Sequence, residues 1–329
     1  MHAIHVQPEI AMTDRLTVAL AQIEPVWLDR AGTLAKVIEA TEEAARQGAA
    51  LVAFGESLVP GYPFWLERLD AARFQAKDLK EIHALYIDQA VCIERGDLAP
   101  LAALAARRKI AIVLGIIERP AHRGESVYAS AVTINGKGEF ASVHRKLMPT
   151  YEERLCWAPG DGHGLRTHPL GAFTVGSLNC WENWMPMARA ALYAQGEDLH
   201  VAIWPGGEHN TRDLTRFIAR ESRSYVMSVS GLLRRDSLPA SIPQRAAIVA
   251  KSGEFLANGG SCLSGPDGEW VIEPIVGREC VVTATLDHAR VREERQSFDP
   301  SGHYARPDVL SLHVNRQRQS TAYFSDEQG

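Results

Sequence analysis

What most constrains the fold of this chain is an alternation. Short apolar runs are separated by longer stretches whose apolar residues recur at helical spacing. LTVALAQIE (16–24), LVAFGES (51–57) and IAIVLGIIE (110–118) have the length and β-branched content of buried strands. Stretches at 34–47, 76–94 and 97–108 read as helices, the first stopped by Gly48. VYASAVTI (127–134) and EFASVHR (139–145) flank Asn135-Gly136-Lys137-Gly138, a hairpin turn with Asn and Gly where positive φ is needed. The second half repeats the scheme. FTVGSLNC (173–180), LHVAIW (199–204) and YVMSVSG (225–231) read as strands. Helices at 184–195, ending at Gly196, and at 211–224 separate them. Runs at 246–250, 269–274 and 280–286 read as further strands, and 287–296 as a short charged helix. Strand and helix in alternation imply an α/β protein whose sheets are covered by helices.

TVALAQIEP (17–25) echoes TVGSLNCWE (174–182), and LVAFGES echoes LHVAIWP (199–205). Two β-α-β halves set face to face would give this echo, and so would the ordinary repetition of any α/β chain. No low-complexity segment or Pro/Gly/Ser linker divides the sequence. It therefore reads as a loose N-terminal arm (1–15), a single domain (16–314) and a short polar tail (315–329). Either Met1 or Met12 suits a start. With 46% apolar residues among 329, the core needs no disulfide or metal staple. A net charge of −5 argues against nucleic acid as a partner. No apolar run approaches the roughly 18 residues of a membrane span, and no targeting segment is evident. The five cysteines at 92, 156, 180, 262 and 280 are odd in number and form no Cys-x-x-Cys pair. They imply a reducing, cytoplasmic setting and free thiols.

Most free cysteines are small buried apolar groups, and Cys92, Cys262 and Cys280 read that way. Cys156 and Cys180 are each followed by tryptophan. Cys156 lies in a polar, Gly/Pro-rich loop, whereas Cys180 ends a strand just before a helix. That junction exposes a side chain and favours a thiolate. A nucleophilic thiol needs a base, which one of the twelve histidines or a carboxylate would supply. Glu56 ends the run LVAFGE, where ligands gather at strand C-termini. Lys146 ends EFASVHRK. Each of these two also reads as an ordinary surface residue. The histidines lack His-Glu-x-x-His spacing, so no metal site is expected.

Three blocks, in order, resemble the nitrilase branch of the carbon–nitrogen hydrolase superfamily: FGESLVPGYPFW (54–65), HRKLMPTYEERLCW (144–157) and LNCWENWMPMAR (178–189). GGSCLSGPDG (259–268) and GHYARPDVL (302–310) extend the similarity to nearly the whole chain. The resemblance implies a four-layer α-β-β-α sandwich, with Glu56 as base, Lys146 and the Trp181 backbone N–H as stabilisers of developing charge, Cys180 as nucleophile and Glu153 as an additional glutamate. It implies hydrolysis of a small organic nitrile to acid and ammonia through covalent thioimidate and thioester intermediates, with no cofactor, in a homo-oligomer. Amidase and cyanide-degrading activities use the same Glu–Lys–Cys set and stand as alternatives. A catalytically silent scaffold on the same fold is a third reading, though no catalytic position is lost. Tyr62, Trp157, Trp181, Trp184 and His209 adjoin the blocks and are candidates to line the substrate pocket, with core packing or an interface as the alternative.

Overall fold

The computed structural model describes residues 14–322. The N-terminal arm, apart from its last two residues, lies outside them. The first half contains β1 (Arg15–Gln22), α1 (Arg30–Arg46), β2 (Leu51–Phe54), α2 (Trp65–Arg68), α3 (Lys77–Gln89), α4 (Ala99–Arg108), β3 (Ala111–Glu118), β4 (Tyr128–Ile134) and β5 (Phe140–Arg145). The second contains β6 (His168–Leu170), β7 (Phe173–Asn179), α5 (Pro186–Tyr193), β8 (Leu199–Trp204), α6 (Glu208–Ser222), β9 (Tyr225–Ser230) and β10 (Leu232–Arg234). It continues with α7 (Arg245–Ala250), β11 (Phe255–Ser264), β12 (Trp270–Val276), β13 (Cys280–Asp287) and α8 (Ala289–Arg295).

Two mixed sheets result. One runs β13-β1-β2-β3-β4-β5; the other runs β10-β11-β9-β8-β7-β6, with β12 also paired to β11. Within them β1, β2 and β3 are parallel neighbours, and so are β7, β8 and β9. The echo between the halves thus falls on equivalent strands, β1 with β7 and β2 with β8.

Side-chain alternation explains the layers. Along β1 and β2, Val18, Leu20, Leu51 and Ala53 meet Val175, Val201, Met227 and Val229 of the opposite sheet. The intervening Ala19, Ala21, Val52 and Phe54 pack on α1 and α4 instead. On the other side Ala202 and Trp204 face α6, and Leu178 faces α5. A strand buried on both faces needs an apolar residue at every position. That is why these runs show no polar alternation. The helix–sheet–sheet–helix order gives the four-layer sandwich.

Four differences from the sequence reading have physical causes. The run 246–250 is helix α7, not strand. Its Ile248 is fully buried while Ala247 and Val249 are only partly so, a single-faced burial that a run this short does not advertise. The helix expected over 76–94 ends at Gln89, because Val91 bridges Glu118 at the end of β3, and only a 3-10 turn (Ile93–Arg95) precedes α4. Cys92 therefore sits beyond the helix. The helix expected at 184–195 starts at Pro186, after a 3-10 turn. Strand β11 has no counterpart in the sequence reading: Gly259 and Gly260 take φ of +90° and +107°, and its register shifts there. A Cβ on Gly260 would meet the Glu208 backbone at 2.7 Å, so the bend seats the start of α6. The polar tail returns to the body: Arg318 donates to Asp161 Oδ1 (3.0 Å) and to the Val143 carbonyl (2.8 Å).

Candidate active site

Three chain segments converge at the C-terminal ends of β2, β5 and β7. Glu56 lies two residues past β2, its N–H donating to the Trp204 carbonyl at 3.0 Å. The turn crosses β3 at Gly115, where a Cβ would sit 2.1 Å from the Gly55 carbonyl oxygen. Only glycine admits that approach. Lys146 directly follows β5, its N–H held by the Ala129 carbonyl at 2.8 Å. Cys180 directly follows β7 and opens the 3-10 turn Cys180–Trp184. Its φ is +45°, in the left-handed region that L-residues avoid. Ser57 (+49°) and Tyr151 (+42°) share that conformation beside the other two segments. Such backbone concentrates at sites whose surroundings enforce it.

The four residues form one buried cluster. Lys146 Nζ lies 2.7 Å from Glu153 Oε2 and 3.0 Å from Glu56 Oε1. A carboxylate oxygen of Glu56, one of Glu153 and the Cys180 sulfur all lie within 4.8 Å of one another. Every one of these side chains is almost wholly buried. The two glutamates differ in what they accept. Glu153 is fully engaged, by Lys146, by the Thr150 N–H (2.6 Å) and by the Tyr62 hydroxyl (2.9 Å). Glu56 has fewer partners: among the described residues its one polar neighbour at ion-pair distance is the Lys146 ammonium, 3.0 Å from Oε1. A carboxylate in this state is free to accept a proton from a thiol or from water.

Electrostatics sharpen the contrast. Burial pushes the Glu56 carboxyl up to about 8, against the pull of Lys146 and helped by Glu153. Burial also holds the Cys180 thiol well above its ordinary value, although Lys146 and the Trp181 backbone N–H favour the thiolate. For Lys146, burial disfavours the charge, but Cys180, Glu56 and Glu153 outweigh it and keep the amine protonated. The cluster thus holds one fixed cation, one engaged carboxylate, a neutral thiol and a carboxyl poised near neutrality. Two carboxyl groups placed in unlike environments can divide acid and base work. The donor set of Glu56, Glu153 and Cys180 would otherwise suit a metal ion. The buried ammonium already supplies the positive charge there, so the residues fit an amine better than a divalent cation.

A cleft of about 620 Å³ opens onto Cys180. Tyr62, Tyr151, Trp181, Met148 and Met185 contribute apolar walls, with Pro205 and Asn210 opposite. Of the pocket candidates, Tyr62 and Trp181 line it. Trp157 does not; it packs behind the cluster, its ring 5.4 Å from Lys146 Nζ and its N–H donated to the Tyr86 hydroxyl at 3.1 Å. Trp184 and His209 are exposed and do not line this cleft. The 3-10 turn carries Trp184 away from the thiol it neighbours in sequence.

Sequence reasoning gave no role to His144, Glu182, Asn183 or His200, all buried around the thiol. Asn183 donates to the Cys180 carbonyl at 2.8 Å and accepts from His200 at 2.7 Å, while His200 pairs with Glu197 at 2.9 Å. Glu182 ties Asn179 to His144. A signal was present in part. Thr150-x-x-Glu153 and Asn179-x-x-Glu182 both have the spacing in which a glutamate caps the start of a helical turn.

Residues 17–296 match the family model described as carbon-nitrogen hydrolase. The chain is 32% identical to an aliphatic nitrilase of Rhodococcus rhodochrous, covering 98% of this chain and 85% of the relative. It is 33% identical to an arylacetonitrilase of Macrophomina phaseolina (strain MS6), covering 96% of each. In fold it resembles the crystal structure of an amidase from Nesterenkonia sp., with a TM-score of 0.62 and 19% identity over 88% of this chain and 97% of that one.

Proposed function

This chain belongs to the carbon–nitrogen hydrolase family, and on that premise we propose that it hydrolyses small organic nitriles to carboxylic acid and ammonia. The observation that carries the reading is Glu56, a buried carboxyl within 4.8 Å of the Cys180 sulfur and 3.0 Å from the Lys146 ammonium. The names of its relatives favour nitriles over amides.

In the proposed sequence Glu56 takes the Cys180 proton and the thiolate adds to the nitrile carbon. Negative charge then develops on nitrogen, where the Lys146 ammonium and the Trp181 N–H stabilise it. Protonation of that nitrogen gives a thioimidate. Glu56 next removes a proton from water, which adds to the thioimidate carbon. Expulsion of ammonia leaves a thioester, and a second water releases the acid and the thiol. Expulsion of the thiol from the same tetrahedral intermediate would release the amide instead. Glu153, through Lys146 and Tyr62, holds the cation in place. The odd set of unpaired thiols supports a cytoplasmic setting. Exposed Met187 on α5 and Phe217 on α6 support a homo-oligomer, which light scattering reads directly.

Supplying a nitrile, its amide and cyanide separately, and measuring ammonia, acid and formate, tests the reading. Ammonia from the nitrile with acid as main product is expected. Release from the amide alone would make the chain an amidase. Release from cyanide alone would make it a cyanide-degrading enzyme.

The base must be ionised to act. Activity should therefore rise with pH, kcat/KM gaining about tenfold per unit until an apparent pKa near 8. A profile flat between pH 6 and 9 would remove Glu56 from the role.

The thiols should also separate. The Cys156 sulfur lies 3.7 Å from His83 Nδ1, and burial holds its thiol well above its ordinary value. Cys156→Ala is expected to keep most of the turnover. Iodoacetamide should label Cys180 before the other four, as peptide mapping reads. Equally slow labelling of all five would favour a non-catalytic scaffold.

A further inference from the structure

We infer that Glu182 is a positioning residue that sets the separation between Lys146 and Cys180 by joining the two sheets on a single carboxylate. Lys146 ends a strand of the first sheet and Cys180 a strand of the second, so their spacing depends on how the sheets dock. Glu182 is 1% exposed. Its Oε1 accepts the backbone N–H of Leu147 at 2.6 Å, the residue after Lys146. Its Oε2 accepts the backbone N–H of Asn179 at 2.8 Å, the residue before Cys180. His144, two residues before Lys146, places Nε2 3.1 and 3.0 Å from the two oxygens.

The other buried relay at the thiol, Asn183–His200–Glu197, lies within the second sheet. It fixes the turn but not its distance from Lys146. Among the described residues one further hydrogen bond links the two strand ends, a long one of 3.4 Å from Asn179 Nδ2 to the His144 carbonyl. The carboxylate is ionised in place. Burial opposes its charge, but His144 and the two backbone donors hold it below the ordinary carboxyl range.

Both oxygens are therefore needed as acceptors. A glutamine would turn an amide N–H₂ toward one of the two backbone N–H groups and release that strand end. An aspartate would keep the charge but fall one carbon short of spanning the gap.

The inference rests on the cysteine-centred hydrolysis proposed above, not on the substrate being a nitrile. Turnover of Glu182→Gln and Glu182→Asp should be measured on both a nitrile and its amide, and divided by the number of Cys180 thiols alkylated at the end point. Misplacing reacting groups by about 1 Å costs on the order of a hundredfold in rate. The glutamine variant should therefore lose about a hundredfold in kcat per reactive thiol, with KM changed less than about threefold, and the aspartate variant about tenfold. A merely structural role predicts fewer reactive thiols with wild-type kcat per thiol, and that result in either soluble variant would overturn the inference. If the glutamine variant does not fold, the aspartate variant decides. If the wild type acts on the amide alone, the nitrile reading fails while the Glu182 comparison is still read on the amide. The rate of Cys180 alkylation, expected to drop at least about tenfold, gives a readout that needs no substrate.

Discussion

Cys180→Ala should abolish turnover while leaving the protein folded. A covalent mechanism has no substitute for its nucleophile, and losses of about 10⁴-fold or more follow removal of such a group. The fold should tolerate the change. Cys180 packs against Ala202, Trp204 and Leu214, an apolar setting that accepts alanine. Its left-handed backbone is no worse for alanine than for cysteine, since both carry a Cβ. Ammonia release and the thermal midpoint should be measured together. Lost hydrolysis with a midpoint within a few degrees of wild type, about 1 kcal/mol or less for a chain of this size, is the expected pair. Near-normal hydrolysis would end the cysteine mechanism and with it the functional reading.

Lys146→Met should have the largest effect on stability, and that effect should depend on pH. The ammonium touches two carboxyl groups in a site with almost no solvent. Methionine fills similar space but leaves those groups facing each other without a cation. Unpairing a buried ion typically costs about 3–5 kcal/mol. In the variant both carboxyls would have folded-state pKa values above their unfolded value, near 4.3. Groups shifted in that direction bind more protons when folded. Their stabilisation is complete below the unfolded pKa and is lost as pH rises through the folded one. Urea midpoints should thus nearly coincide with wild type at acidic pH and separate increasingly toward pH 8. A deficit independent of pH would mean that Lys146 acts by packing alone. Turnover should be lost at every pH, because the charge on the reacting nitrogen would have no counter-ion.

The parts of this architecture that the sequence made legible are those set by local chemistry. Runs such as IAIVLGIIE and LHVAIW are apolar at every position because both faces are covered, and no surface element has that need. The segments bearing Glu56, Lys146 and Cys180 stood out because each places a reactive residue at a strand end. One failure is local, and the others trace to non-local causes. AAIVA at 246–250 carries too few residues to reveal a period. The bend in β11 exists to receive α6, a partner remote in sequence. Trp184 and His209 are candidates by adjacency along the chain, but Trp184 ends the 3-10 turn and His209 lies at the start of α6, both exposed outside the cleft. The role inferred for Glu182 was hidden for the same reason. Its partners Leu147 and His144 lie on another sheet, and only docking brings them within reach.

The site has one half on each sheet. On the proposed mechanism the base and the ammonium follow β2 and β5 and the sulfur follows β7, and between the sheets lies a layer of interdigitated aliphatic side chains. Chemistry therefore acts as a gauge of alignment: a slide of one sheet over the other, too slight to break any strand ladder, would carry the sulfur out of line with its base. On that mechanism catalytic rate should report the fit of that aliphatic layer more finely than any measure of secondary structure, and substitutions deep between the sheets should act as rheostats of an activity they never touch.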